Sequence, residues 1–253
     1  MKATILYNEQ NYAVDLAKPI DISIPLKAGM DNVNCWYAPF VDISPVKMGD
    51  FIGDVNQGGP VNFMNVRLNP HGNGTHTECV GHISSEQHVL DQCMKEFFFK
   101  AHVVSIFPTL ADNGDKVITL ETVRAILGDV SDRDLGKAIV IRTLPNVDTK
   151  LVHQYSGTNP TYMDHLAMKY LVELGFEHLL IDLPSVDREE DAGKLLAHRA
   201  FWQFPYDVRK SCTISELIFV PDSVKDGDYF LNIQITSLQM DASPSKPVLF
   251  EIL

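Results

Sequence analysis

Within twelve residues, the segment His71-Gly72-Asn73-Gly74-Thr75-His76-Thr77-Glu78-Cys79-Val80-Gly81-His82 carries three imidazoles and a carboxylate. These are the donor types that hold a hydrolytic divalent metal. If Thr75 to Cys79 is a strand, its period of two puts His76 and Glu78 on one face and Thr75 and Thr77 on the other. Two donors then point the same way. Gly72, Gly74 and Gly81 permit sharp turns on either side, so His71 and His82 could fold back toward the same point. A lone histidine more often satisfies a backbone group, but several donor types converging under glycine-controlled turns indicate a metal or acid–base site. Cys79 alternates away from His76 and Glu78 and reads as a small packed residue.

The elements that must position these groups read as an α/β core. Ile20 to Pro25 alternates like a strand, and Val61 to Leu68 is a looser run ending before Pro70. Ala101 to Phe107 and Ala138 to Thr143 are apolar, β-branched strands, separated by a helix over Thr119 to Leu127 that stops at Gly128. A second helix begins at Asn159-Pro160, carries Met163, Leu166, Ala167, Tyr170, Leu171 and Leu174 on one face, and ends at Gly175. His178 to Leu183 is a buried type of strand closed by Pro184, and Glu189 to Trp202 reads as a further helix. Strands at Glu216 to Val220, Tyr229 to Thr236 and Val248 to Ile252 finish the chain.

The 253 residues are 45% hydrophobic and 21% charged, which excludes disorder, collagen and coiled coil and leaves a globular chain with a sizeable core. No Pro/Gly/Ser-rich linker divides it, so residues 1–253 read as one domain with a loop-rich arm at about 1–60. Thirty-three acidic against 21 basic residues give a net charge of −12, which repels phosphate backbones and anionic membranes. Nucleic-acid and membrane partners are not expected. The opening Met1 to Glu9 turns polar before a secretory apolar stretch could form, and no run approaches the roughly 20 residues a bilayer requires. Cys35, Cys79, Cys93 and Cys212 lack C-x-x-C spacing and read as free thiols, so the expected location is cytoplasmic.

At its histidine segment the chain resembles the cyclase-like metal-dependent hydrolases, the family of bacterial kynurenine formamidase and isatin hydrolase, whose hallmark is His-x-Gly-Thr-His-x-Asp-x-Pro-x-His. Gly74-Thr75-His76 and His82 match it. Glu78 stands for the aspartate, Val80 for the proline, and the first histidine position falls on Gly72, one residue after His71. Beyond the motif, Gly59-Pro60-Val61-Asn62 resembles the lead into the metal strand, and Ile141-Arg142-Thr143 the end of a central strand. Asp182-Leu183-Pro184-Ser185-Val186-Asp187 is similar to the family's Asp-x-Pro-Ser-x-Asp stretch, followed by His198 and Glu216. Ser243-Pro244-Ser245-Lys246 resembles its closing Ser-Pro-x-Arg.

The resemblance implies a single swivelling β/β/α domain with a mixed, barrel-like sheet and flanking helices. It implies His76, Glu78, His198 and Glu216 as metal ligands, with Glu78 able to bridge two ions, and His82 as the catalytic proton shuttle. His71 joins them if a single-residue bulge rotates it into the vacated position. Zinc is the implied metal, one or two ions per chain, and the carboxylates also suit manganese. A homodimer is expected. The activity implied is hydrolysis of a small amide, formamide or cyclic amide, arylformamidase-like on N-formylkynurenine. The alternatives are a non-catalytic descendant that binds a small ligand or metal, and a lyase or dehydratase of the same family.

Other residues carry weaker signals. Trp36, Phe40 and Phe201, with Trp202, could form an aromatic wall for a small-molecule substrate. Ser185 lacks a Gly-x-Ser-x-Gly context and reads as a turn residue, and Asp182 and Asp187 as turn formers or outer partners of the site. His88, His102, His153, His165 and His178 stand alone and carry no assigned role.

Overall fold

Ala138–Thr143 and His178–Ile181 are buried at every position, the pattern of parallel strands covered on both faces. The computed structural model describes residues 1–128 and 134–253, and in it these two runs belong to a closed ring of seven strands. In chain order the ring strands are β1 (His76–Glu78), β2 (Phe98–Ile106), β3 (Ala138–Thr143), β4 (His178–Ile181), β5 (Thr213–Glu216), β6 (Gly227–Ile235) and β7 (Ala242–Glu251). Around the ring the order is β6-β2-β3-β4-β5-β1-β7, and pairing of β6 with β7 closes it. The strands β2 to β5 are mutually parallel, while β1, β6 and β7 join the ring by antiparallel pairs. The result is the α/β fold with a mixed, barrel-like core.

Alternation along each strand sorts its side chains into two cores. Ala138 and Val140 of β3, Leu180 of β4 and Leu231 and Ile233 of β6 pack together with Cys79 inside the ring. Ile139, Ile141, Leu179, Ile181 and Ile214 point out, against helices α3 (Leu120–Leu127), α4 (His165–Glu173) and α5 (Leu196–Trp202). Two shorter helices, α1 (Pro70–Asn73) and α2 (Leu90–Cys93), lie in the connections around β1. Each fully buried aliphatic side chain contributes about 1.5–3 kcal/mol, so the two layers together drive ring closure.

Helix α3 lies where its signals put it: the Thr119 side chain accepts from Thr122 N–H, and Gly128, at φ +65°, ends it. Other boundaries moved. Helix α4 starts at His165 behind the Asp164 cap rather than at Asn159-Pro160, because Tyr162–Met163 is drawn into a parallel pair with Lys116–Ile118. Helix α5 covers Leu196–Trp202 only. The residues 189–195 before it stay irregular, with Ala192 and Leu195 in the left-handed region and the Glu189 carboxylate accepting from the Gly157 and Asn159 N–H groups. The strand expected over Glu216 to Val220 is Thr213–Glu216 instead, since Leu217, at φ +53°, breaks the extended run.

The first residues are more ordered than a loop-rich arm. Lys2–Tyr7 and Gln10–Asp15 form an antiparallel hairpin, and Val14 beneath it packs on Phe230 and Phe250. In the arm proper, Asp42–Pro45 pairs with Met64–Arg67. No helix among the described residues is long and apolar enough to cross a membrane.

Candidate metal centre

Strand β1 carries the donors its alternation requires. Thr77 Oγ1 shares a 2.6 Å hydrogen bond with Ser215 Oγ and Cys79 packs inside the ring, so His76 and Glu78 face outward under the helices, both fully buried. The antiparallel register sets Glu216 of β5 opposite His76 and Ile214 opposite Glu78. His76 Nε2 lies 3.5 Å from Glu216 Oε2, while its Nδ1–H donates to Gly74 O at 3.0 Å.

Helix α5 delivers His198. Its entry residue, Leu195, sits at φ +48° and offers no side-chain cap, so the first turn would leave buried N–H groups unpaired. Asp187 caps it from a distance: its carboxylate accepts from Ala197 N–H (2.7 Å), His198 N–H (3.0 Å) and His198 Nδ1–H (2.6 Å). One carboxylate thus caps the start of the helix and orients the ring. Burial alone would raise Asp187, but His198 holds it below the ordinary carboxylate value. His198 Nε2 then faces Glu78 Oε1 at 3.1 Å and Glu216 Oε1 at 3.8 Å, and Trp202 stacks on the ring at 5.6 Å.

His71 also reaches the cluster, though not through a strand bulge. Residues Pro70–Asn73 form a helical turn, with the Asn69 side chain accepting from Gly72 N–H and Pro70 in the first turn. On this turn His71 Nδ1 comes within 3.1 Å of Glu78 Oε2. No side chain fits at position 72, because a Cβ there would lie 2.4 Å from Ala38 Cβ and 3.1 Å from Cys35 O. Gly72→Ala is therefore expected to cost about 1–3 kcal/mol through overpacking. Urea unfolding measures this, and an unchanged midpoint would show that Ala38 yields instead.

His82 and Asp241 close the open side. The ring Nδ1 of His82 lies 3.7 Å from Glu78 Oε2 and 3.6 Å from Asp241 Oδ2, and Asp241 Oδ2 also takes His71 Nε2–H at 3.0 Å. Nothing in its local sequence marks Asp241 as a site residue. Its place depends on β7 pairing with β1, which sets Ala242 opposite Glu78, and no local spacing reports that register.

A cavity of about 320 Å³ opens above the cluster, lined by His71, His82, His198 and Glu216 with Trp36, Asn69 and Ser185. Trp36 sits on its wall in the left-handed region, at φ +58°. Phe40 lies on the surface, 41% exposed, and is not among the residues lining this cavity. Phe201 is fully buried, packed edge-on against Trp202 with the Arg209 guanidinium over its ring, so it is core and not pocket wall. On α5 it belongs to the same buried cluster as Ala197 and Trp202.

The cluster has the donor chemistry of a divalent-metal centre. His76 Nε2 and Glu78 Oε2 are buried without a hydrogen-bond partner, an arrangement that costs free energy unless something electrophilic sits between them. Three overlapping sets, His71/His76/Glu78, His71/His82/Asp241 and Glu78/His82/His198, each bring their donor atoms within 4.8 Å of one another. Burial would raise the Glu78 carboxyl, but His82, His198 and His71 around it hold it well below the ordinary value.

In the metal-free chain, burial would lower the His71 imidazole, but the carboxylates of Asp241 and Glu78 on either side of the ring outweigh it and carry the group up to about 10. A folded value above the unfolded one, ordinarily near 6.5, stabilises the fold fully below the unfolded value and loses that contribution as pH rises through about 10. Metal-free protein is thus expected to melt at falling temperature between pH 7 and pH 10, a slope that His71→Ala flattens; parallel profiles for the two proteins would contradict it.

The putative cyclase family matches residues 20–188. The chain belongs to the cyclase family. Solved structures share its fold at low identity. An isatin hydrolase bound to the product analogue thioisatinate superposes with a TM-score of 0.67 at 16% identity, covering 93% of each chain. Isatin hydrolase A from Ralstonia solanacearum gives 0.66 at 14% identity over 92% of this chain and 91% of that one. A predicted metal-dependent hydrolase from Bacillus stearothermophilus gives 0.60 at 16%, covering 92% and 98%. No curated protein matches the sequence significantly. Within the cyclase family the chain is a divergent member: His71 lies on a helical turn, Val80 is core, and Lys246 pairs with Asp21 at the surface.

Proposed function

We propose that this chain is a metal-dependent hydrolase of a small amide, formamide or cyclic amide, with arylformamidase-like cleavage of N-formylkynurenine as the leading activity. One observation carries the reading: His71, His76 and His198 each have one ring nitrogen tied to an outer acceptor and the other aimed at Glu78 or Glu216, beneath a cavity of small-molecule size. His76, Glu78, His198, Glu216 and His71 would hold the ion, zinc or manganese. When bound, such an ion supplies Lewis acidity toward a carbonyl and toward water.

The chain's own groups supply the rest. His82 lines the cavity with a ring 30% exposed and its Nδ1 turned to the two carboxylates Glu78 and Asp241, so it can hold a proton and pass it to a departing nitrogen. Trp36 offers a flat wall for a planar substrate. The isatin hydrolase with the same fold, bound to thioisatinate, supports a cyclic amide as the second substrate to assay.

The test is elemental mass spectrometry on protein purified without chelator, followed by assays on N-formylkynurenine and isatin. Turnover that chelator abolishes and zinc or manganese restores is the expected result. Bound metal with no turnover on either substrate or related amides would overturn the hydrolase reading in favour of a binding protein.

A further inference from the structure

Three of the histidines turned into the centre are held from behind. His76 Nδ1–H donates to Gly74 O at 3.0 Å, His198 Nδ1–H to Asp187 Oδ2 at 2.6 Å, and His71 Nε2–H to Asp241 Oδ2 at 3.0 Å. An outer acceptor of this kind selects the tautomer and leaves the opposite nitrogen as a lone-pair donor. His71 differs in hand from the other two, since its inward nitrogen is Nδ1 and theirs is Nε2. That difference accompanies its origin on the turn of α1, beside Gly72, which is packed against Ala38 and Cys35.

We propose that Asp241 is the positioning residue that makes His71 a metal ligand, by holding the Nε2–H tautomer and turning Nδ1 toward Glu78. The inference rests on the metal-centre reading above. Asp241 approaches from the far side of the His71 ring, as its placement just before β7 requires, and its main-chain carbonyl is anchored by Cys79 N–H at 3.0 Å. The anchoring is backbone to backbone, so trimming the side chain leaves the β1–β7 pairing in place. The carboxylate is only partly buried, 29% exposed, and its Oδ2 also lies 3.6 Å from His82 Nδ1. One aspartate thus faces both histidines that the open side of the site exposes.

Zinc affinity, measured by competition with a chromophoric chelator, tests the assignment on wild type, Asp241→Asn, Asp241→Ser, His71→Ala and the His71→Ala/Asp241→Asn double variant. Losing the outer carboxylate is expected to weaken zinc binding roughly 10–100-fold, and to add nothing once His71 is absent. Circular dichroism melts of the metal-free proteins establish that each variant folds. Wild-type affinity in both Asp241 variants would overturn the proposal. So would an equal loss in the His71→Ala background, which would show Asp241 acting on the ion or on His82 and not through His71. A wild-type chain that takes up no zinc or manganese would overturn the metal-centre reading itself, a result distinct from a metal-binding wild type whose Asp241 variants bind equally well.

Discussion

Glu78→Ala is expected to leave the chain without bound metal, with affinity down by more than about 100-fold, beyond the range of outer-shell changes. No other side chain in the centre faces as many of its histidines: the two oxygens of Glu78 lie 3.1 Å from His198 Nε2, 3.1 Å from His71 Nδ1 and 3.7 Å from His82 Nδ1. The position is fully buried, and removing one partner of a buried charged pair ordinarily costs about 3–5 kcal/mol. Here the histidines can release their protons, so the loss of stability is expected to be smaller than the loss of metal. Glu78→Gln keeps the volume and separates the two effects: it should fold with a near-normal melt and still fail to retain the ion. Elemental analysis after gel filtration reads the outcome, and a full metal complement in both variants would remove Glu78 from the centre.

His82→Ala is expected to lower kcat by about 10²–10⁴-fold, the range for a lost general acid–base group, with metal content unchanged. The separation follows from geometry. His82 stands 3.7 Å from Glu78 and 30% exposed at the cavity, whereas His76, with no exposure, and His198, 2% exposed, are enclosed among the carboxylates. Unchanged kcat would remove the shuttle role. Metal lost together with activity would place His82 among the ligands, through the set it forms with Glu78 and His198.

Gly72 shows how sequence and structure divide the problem. A motif comparison marks the missing histidine there, and one residue upstream a histidine is present; only the packing of Ala38 and Cys35 against Gly72 explains why the side chain had to move. A helical turn then does what a bulge was expected to do, because in a helix adjacent residues point about 100° apart and the first turn of α1 aims His71 at Glu78.

Local physics was readable where it is sufficient. Period two put His76 and Glu78 on one face, the Thr119 cap and Gly128 bounded α3, and unbroken apolar runs marked β3 and β4 as doubly covered strands. These properties depend on residues a few positions apart, and the sequence by itself determined them, along with the family and the donor types at the site. The tertiary structure alone decided the rest: that β7 closes the ring beside β1 and brings Asp241 to His71, that Asp187 caps α5 and orients His198, and that Phe201 turns into the core while Trp36 meets the cavity. Even the shortest of these, from Asp187 to His198, spans eleven residues of mostly irregular chain. Strand register and helix docking set them through summed burial over two core layers, a quantity that no short stretch of sequence carries.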